Sequence, residues 1–287
     1  MNLTDISDIK ALLSRHGFNF SRSMGQNFLS AAWVPERIAE EAALGAGVGV
    51  TEIGPGVGCL TEQLALRAEK VLALEVDESL RPVLKETLAG KENVEVVFGD
   101  VLKTDIAALV REKQPGLRHV LCANLPYNIT TPVLTALIEA KCFEKLTVMV
   151  QREAAQRLCA APGEENYNAF SVFVQWYTAP KMLFDVPPDC FIPQPKVTSS
   201  VLSLTPRETP LVPVSDEKLL LRVVRAAFAQ RRKTLTNALS SAFGGLSKTA
   251  AGEILESIGL DERVRGETLD ARQFAHLANA ISAYSGE

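Results

Sequence analysis

Between about residue 48 and residue 204 the chain alternates short apolar runs with stretches of helical spacing. VGVTEI is apolar and β-branched, GPGVG interrupts it, and CLTEQLALRA then repeats its apolar positions at helical intervals. KVLALEV reads as a second strand, with Asp77 placed to cap the helical stretch ESLRPVLKETLA. VEVVFG, HVLCAN and KLTVMV are further apolar runs, each followed by a helical pattern. Such alternation predicts right-handed crossovers and a mostly parallel sheet covered on both faces. PKMLFDV and VTSSVLSLTP instead read as two strands joined by a proline-rich loop, with no helix between them. They predict an antiparallel hairpin at one end of the sheet.

After the proline-punctuated linker PRETPLVPVSD (206–216) only helical patterns follow: EKLLLRVVRAAFAQRRKTLTNALSSAF, KTAAGEILESIG and ARQFAHLANAISAY. The expected division is therefore an α/β domain over 1–205 and an all-helical domain over 206–287. Composition agrees with a folded globular chain, 47% of the 287 residues being hydrophobic and 22% charged. No apolar run approaches the ~18 residues that span a bilayer. The start, MNLTDISDIKALLSRHG, has early acids and no continuous apolar stretch, which argues against a secretory signal. Five cysteines without a C-x-x-C pair point to a reducing, cytoplasmic setting. His16, His119 and His276 lack metal-ligand spacing, so no metal is expected. Nothing suggests a dedicated dimer surface, and a monomer is expected.

A net charge of −4 conceals a local bias, because Lys218 to Lys233 holds six basic residues and no acid. Arg222 and Arg225 share one helix face, and Arg231, Arg232 and Lys233 are expected near the middle of the same helix. A solvated surface is the ordinary reading of such a run. In an otherwise acidic chain it reads better as a phosphate-contacting patch for a polyanion partner.

The glycine loop EIGPGVG lies on the first strand-to-helix turn, with Gly54, Gly56 and Gly58 spaced G-x-G-x-G. Glycines there allow close backbone approach of a ligand, and the following helix start offers unpaired N–H groups. Glu75 ends the second strand near the ~20-residue offset at which an acid meets a ribose diol. Asp100 ends the third strand, where a carboxylate could accept a hydrogen bond from an adenine amine. Either acid could equally be a strand-end cap. Ligands of open α/β sheets lie outside the carboxyl ends of strands, and a nucleoside-containing cofactor fits all three positions.

Asn124, Leu125, Pro126 and Tyr127 project from the end of the fourth strand. An exocyclic adenine amine is a poor nucleophile because its lone pair is delocalised, yet it needs no proton removed before attack. Two acceptors, the Asn124 side-chain oxygen and the Leu125 carbonyl, could hold the NH₂ and favour its pyramidal form. Tyr127 offers a flat face for a base taken out of its helix. The alternative is an Asx-turn followed by a core tyrosine.

NLPYN matches the [ND]-x-P-[YF] motif of amino-methyltransferases. The whole chain resembles the KsgA/RsmA family of small-subunit ribosomal RNA adenine N6,N6-dimethyltransferases, through GQNFL (25–29), EIGPGVGCLT (52–61) and NLPYNI (124–129). QREAAQRL (151–158), CFIPQPKVTSSV (190–201), FAQRRKTLTNAL (228–239) and RGETLDARQFAHLA (265–278) extend the likeness. Ser21, Ser23 and Met24 depart from it, standing where relatives often carry basic residues and a leucine or phenylalanine.

The resemblance implies a class I S-adenosylmethionine-dependent methyltransferase, a Rossmann-like sheet closed by a hairpin, with a small helical RNA-binding domain. It implies S-adenosyl-L-methionine as cofactor, bound by Asn27 and Leu29 in a lid segment, Gly54, Glu75, Asp100 and Asn124. Gly56 is added from the loop argument. Phe191 is implied as a second aromatic around the target base, opposite Tyr127, although it could simply pack beneath the hairpin. Lys196 joins Arg222, Arg225, Arg231, Arg232 and Lys233 as expected RNA contacts. The implied substrate is 16S rRNA within an immature small ribosomal subunit, where two adjacent adenosines in a hairpin near the 3′ end are dimethylated. An Erm-like enzyme acting on 23S rRNA, a non-catalytic assembly factor, and a small-molecule or DNA methyltransferase are the alternatives.

Overall fold

The computed structural model describes residues 1–18 and 26–284, so Ser21, Ser23 and Met24 lie outside the described residues. The chain forms two compact units, one of Met1–Ala155 with Pro180–Pro206 and the other of Gln156–Ala179 with Arg207–Glu287.

The described residues form nine strands: β1 (Phe28–Leu29), β2 (Val48–Ile53), β3 (Lys70–Glu75), β4 (Val94–Phe98), β5 (Arg118–Asn124), β6 (Lys145–Gln151), β7 (Thr178–Val186), β8 (Phe191–Ile192) and β9 (Ser199–Pro206). Seven form one sheet in the order β4-β3-β2-β5-β6-β9-β7. The pairs β2–β3, β2–β5, β3–β4 and β5–β6 are parallel. Helices Cys59–Ala65, Arg81–Thr87, Ile106–Lys113 and Thr130–Glu139 make the crossovers. β2 is buried at every position, as a central strand covered on both faces must be.

Strand order reverses direction at β2 and β5, so the carboxyl ends of these strands flank the place where an open α/β sheet receives a ligand. The expected hairpin strands are neighbours at the end of the sheet, with β9 antiparallel to β6. Their proline-rich connection holds a further element. Its strand β8 pairs antiparallel with β1, setting Phe28 opposite Ile192 and Leu29 opposite Phe191. The amino-terminal NFL and the CFIP segment thereby become neighbours, although more than 150 residues of sequence separate them.

The second unit differs from the expected boundary at 205/206, because Gln156–Ala179 belongs to it. Tyr167, Val172 and Trp176 are buried in the same apolar cluster as Val223, Leu239 and Phe274. The Tyr167 hydroxyl donates to the Leu269 carbonyl at 2.8 Å, which answers its only polar group. Alternation of strand and helix patterns could not assign this stretch, since its apolar face is shaped for helices and not for the sheet.

A second correction concerns the basic helix. It runs from Glu217 to Ala229, started by the Asp216 carboxylate accepting from the Leu219 N–H at 3.0 Å. Gln230 leaves helical geometry at φ −130° and ψ 59°, and a new helix begins at Leu235. Arg231, Arg232 and Lys233 thus occupy a turn between helices. The break lets Leu235 and Leu239 turn into the core beside Val223 and Ala227, and the Leu235 N–H is taken by the Val264 carbonyl at 2.7 Å.

Gly266 shows how closely this unit packs. A Cβ there would stand 2.6 Å from the Ala227 Cβ and 3.2 Å from the Ala227 carbonyl oxygen. Gly266→Ala is expected to destabilise the protein by about 1–3 kcal/mol, the range for overpacking against backbone. Urea denaturation followed by circular dichroism checks this, and an unchanged midpoint would refute the close contact.

Candidate active site

A cavity of about 270 Å³ opens at the carboxyl ends of β2, β3, β4 and β5. Its lining includes Asn27, Leu29, Gly54, Gly56, Glu75, Asp100, Asn124, Leu125 and Tyr127. Parallel pairing accounts for the convergence, because it aligns Ile53 with Leu74 and Ala123, and Glu75 with Phe98. Each strand then releases its next residue at one edge.

Gly54 and Gly56 have φ of 72° and 59°, in the left-handed region that a side chain resists. A Cβ on Gly56 would also meet the Phe28 ring at 2.9 Å, so the loop packs directly against the amino-terminal segment. The buried Glu75 carboxylate accepts from the Asp77 N–H at 2.9 Å and the Gly56 N–H at 3.3 Å. Burial raises its pKa, and those N–H groups pull the other way. Asp100 Oδ1 accepts from the Leu102 N–H at 2.9 Å, while Oδ2 lies 3.6 Å from Lys103 Nζ.

Asn124 is oriented by a bond the motifs did not announce. Its Nδ2 donates to the Asn27 carbonyl at 3.1 Å, which assigns the side-chain oxygen as the remaining acceptor. The Leu125 N–H donates to the Met149 carbonyl at 3.0 Å, which holds that peptide against β6. Among the described residues the Leu125 carbonyl accepts no hydrogen bond. Tyr127 starts a short 3₁₀ turn, and its partly buried phenol oxygen lies 2.7 Å from Ser199 Oγ.

Phe191 is not brought to the lining. It is 3% exposed, in the apolar core of the first unit, with its strand paired to Leu29. Lys196 is exposed on the loop before β9. In the second unit, Arg222 and Arg225 are exposed, and the Arg222 guanidinium lies 5.0 Å from the centre of the Phe243 ring. Arg231 is engaged internally: Nε lies 2.5 Å from Glu267 Oε2, and Nη2 donates to the carbonyls of Glu164 and Glu165. Arg232 and Lys233 are exposed and make no ion pair among the described residues.

Among the lining residues that the motifs did not announce, three stand out by burial or exposure. Val76 and Leu102 are 54% and 44% exposed, unusual for large apolar side chains, and suit the faces of a flat base. Each lies within two residues of a strand-end acid, which was the available signal. Glu52 is the third, 1% exposed, with Oε2 lacking a partner among the described residues. Its pKa is raised from 4.5 to about 8, chiefly by burial; the nearby Thr61 hydroxyl opposes the shift and the Glu75 charge adds to it. At neutral pH Glu52 is a neutral acid under the glycine loop.

A parallel sheet ended by an antiparallel strand, with a glycine loop and strand-end acids around one cavity, defines a class I methyltransferase. The family described as Ribosomal RNA adenine dimethylase matches residues 17–282. The chain is 45% identical to the Ribosomal RNA small subunit methyltransferase A of Alkaliphilus oremlandii, covering 95% of this chain and 96% of that protein. It is likewise 45% identical to the protein of that name from Streptococcus thermophilus, over 98% of both. Among solved structures it is similar to a dimethyladenosine transferase from Plasmodium falciparum (TM-score 0.75, 26% identity, 87% of this chain and 95% of that one). It is also similar to the 23S rRNA methyltransferase ErmE (TM-score 0.70, 26% identity, 89% and 99%). The chain belongs to the ribosomal RNA adenine dimethylase family.

The raised pKa of Glu52 has a measurable consequence. The unfolded chain releases this proton near pH 4.5, whereas the folded protein holds it to about pH 8. Between those values the folded state binds more protons, so stability falls as pH rises, and above pH 8 the full cost of a buried charge is present. Glu52→Gln removes that cost. Its melting temperature is expected to exceed that of the wild type at pH 8.5, with the gap closing toward pH 5. A gap that is independent of pH would show Glu52 to be ionised in the folded protein throughout this range.

Proposed function

We propose that this chain transfers methyl groups from S-adenosyl-L-methionine to the N6 amines of two adjacent adenosines near the 3′ end of 16S rRNA. The product is N6,N6-dimethyladenosine, in a hairpin of a small subunit still being assembled. The observation that carries the reading is the oriented amide of Asn124, whose NH₂ group is engaged by Asn27. Its oxygen and the Leu125 carbonyl form a pair of acceptors, the chemistry required to hold an adenine amine.

The cavity residues fit the cofactor. Glu75 supplies acceptors for a ribose diol, Asp100 one for an adenine amine, and Val76 and Leu102 apolar surface for the ring. Gly54, with open space where a Cβ would stand, leaves the loop backbone open to approach, and Asn27 and Leu29 close the amino-terminal side. When bound, the cofactor supplies an electrophilic methyl group. The chain's own contribution is positional and electrostatic. Asn124 Oδ1 and the Leu125 carbonyl hold the N6 hydrogens and favour a pyramidal nitrogen. The Tyr127 ring stacks the extruded base, an interaction worth ~1–3 kcal/mol. Phe191, in the core on the strand paired with Leu29, supports the amino-terminal segment of this pocket.

The helical unit is proposed as the RNA-holding part, with the protein acting as a cytoplasmic monomer. Arg222, Arg225, Arg232 and Lys233, together with Lys196 of the first unit, are its phosphate contacts. Arg231 is set apart because Glu267 and two carbonyls already occupy it.

Radiolabelled S-adenosylmethionine offered with undermethylated small subunits, large-subunit RNA and duplex DNA tests the reading. Label recovered as N6,N6-dimethyladenosine from small subunits alone is the expected result. Label in large-subunit RNA would favour an Erm-like activity, and no label with cofactor bound would favour an assembly factor. In the same assay Asn124→Ala is expected to lose roughly 10²-fold or more in transfer while cofactor affinity falls only partly. Retained transfer would defeat the acceptor pair. Replacing Arg225, Arg232 and Lys233 by Glu is expected to weaken RNA association and lower its salt slope by roughly one unit per contact. An unchanged slope would return these cations to the solvated surface.

A further inference from the structure

Tyr127 and Ser199 come from elements 72 residues apart in sequence. Ser199 is the first residue of β9, fully buried, and its backbone is registered opposite Gln151 of β6. Its position is therefore set by the sheet. Tyr127 stands on a short 3₁₀ turn whose three residues, Tyr127, Asn128 and Ile129, are all outside the buried core. The hydroxyls of the two side chains lie 2.7 Å apart, and either can donate. Tyr127 lines the cavity, whereas Ser199 does not.

We propose that Ser199 is a positioning residue for base capture, its hydroxyl tethering the Tyr127 phenol so that the ring is held ready at the cavity before RNA arrives. The inference rests on the adenine-methylating reading above. A partly buried tyrosine on a short turn keeps side-chain freedom that must be lost when a base stacks on it. Fixing the ring at both its Cβ and its phenol oxygen removes that freedom in advance, which is the benefit of a preorganised site. The neighbouring Ser200 serves the sheet instead, its Oγ donating to Asp185 Oδ1 at 2.6 Å. The two serines of the VTSSV segment thus have separate tasks, alternating with the faces of β9.

The test combines Ser199→Ala, Tyr127→Phe and the double variant. Tyr127→Phe removes the same bond from the less buried side and keeps the ring, so the inference does not depend on how the buried alanine is tolerated. Each single variant is expected to lower kcat on undermethylated small subunits by about three- to tenfold, the worth of one hydrogen bond. Cofactor Kd should stay unchanged, and the double variant should be no worse than the poorer single. A second readout needs no substrate. The Ser199 bond opposes the burial that raises the Tyr127 phenol pKa. In Ser199→Ala the phenol, followed by ¹³Cζ chemical shift, should therefore titrate at higher pH. An unmoved titration, a wild-type kcat in either single variant, or multiplicative losses in the double would each overturn the tether. Wild-type protein that labels no small subunits would instead overturn the substrate reading, even with the titration displaced.

Discussion

Parallel pairing on both sides of β2 is the constraint on which the rest of this protein depends. A parallel strand returns to its starting edge only through a crossover, so every carboxyl end falls on one side of the sheet. Register then does what no single motif could. With Ile53 beside Leu74 and Ala123, the residues that follow each strand emerge together. Gly54, Glu75, Asp100 and Asn124 are separated by as many as 70 positions in sequence yet line one cavity. The apolar cost of this arrangement is a sheet that must be covered on both faces, which explains the unbroken burial of β2.

Around that edge the polar groups are held by one another, and the holding decides their chemistry. Glu75 is buried but receives two N–H groups, whereas Glu52 has an oxygen with no partner and remains protonated at neutral pH. Burial raises the pKa of both carboxyls, and the charge of Glu75 adds to the rise at Glu52. Asn124 is similarly defined from outside its own motif. The Asn27 carbonyl takes its NH₂ group and so directs what its oxygen can do. The small sheet of β1 and β8 fixes the segment that carries Asn27, and with it the orientation of the acceptor.

In the helical unit the cations of one basic run have different surroundings. Six basic positions fall between Lys218 and Lys233. One of them, Arg231, fastens the 164–165 backbone and Glu267, a structural use that its neighbours Arg232 and Lys233 do not share. Arg232 and Lys233, by contrast, are exposed and make no ion pair among the described residues.

Much of this was legible in sequence. The short apolar runs and helical patterns located β2 to β6 and their crossovers, because local propensity and burial agree in those elements. The glycine loop, both strand-end acids and Asn124 were recognisable as an edge, since their positions relative to strand ends follow from the crossover rule alone. Other features depended on contacts between distant segments. Pairing of β1 with β8, the Asn27–Asn124 bond and the Tyr127–Ser199 bond each join residues with no shared periodicity. The same is true of Gln156–Ala179, whose apolar face is satisfied by helices far along the chain, and of the turn at Gln230, which a continuous helical pattern concealed. Phe191, expected at the cavity from resemblance, was placed in the core by the register of its strand against Leu29. The chain by itself determined which residues stand at strand ends. Tertiary packing decided which of them are held, neutralised or buried, because hydrogen-bond partners and desolvation arise only when separate elements meet.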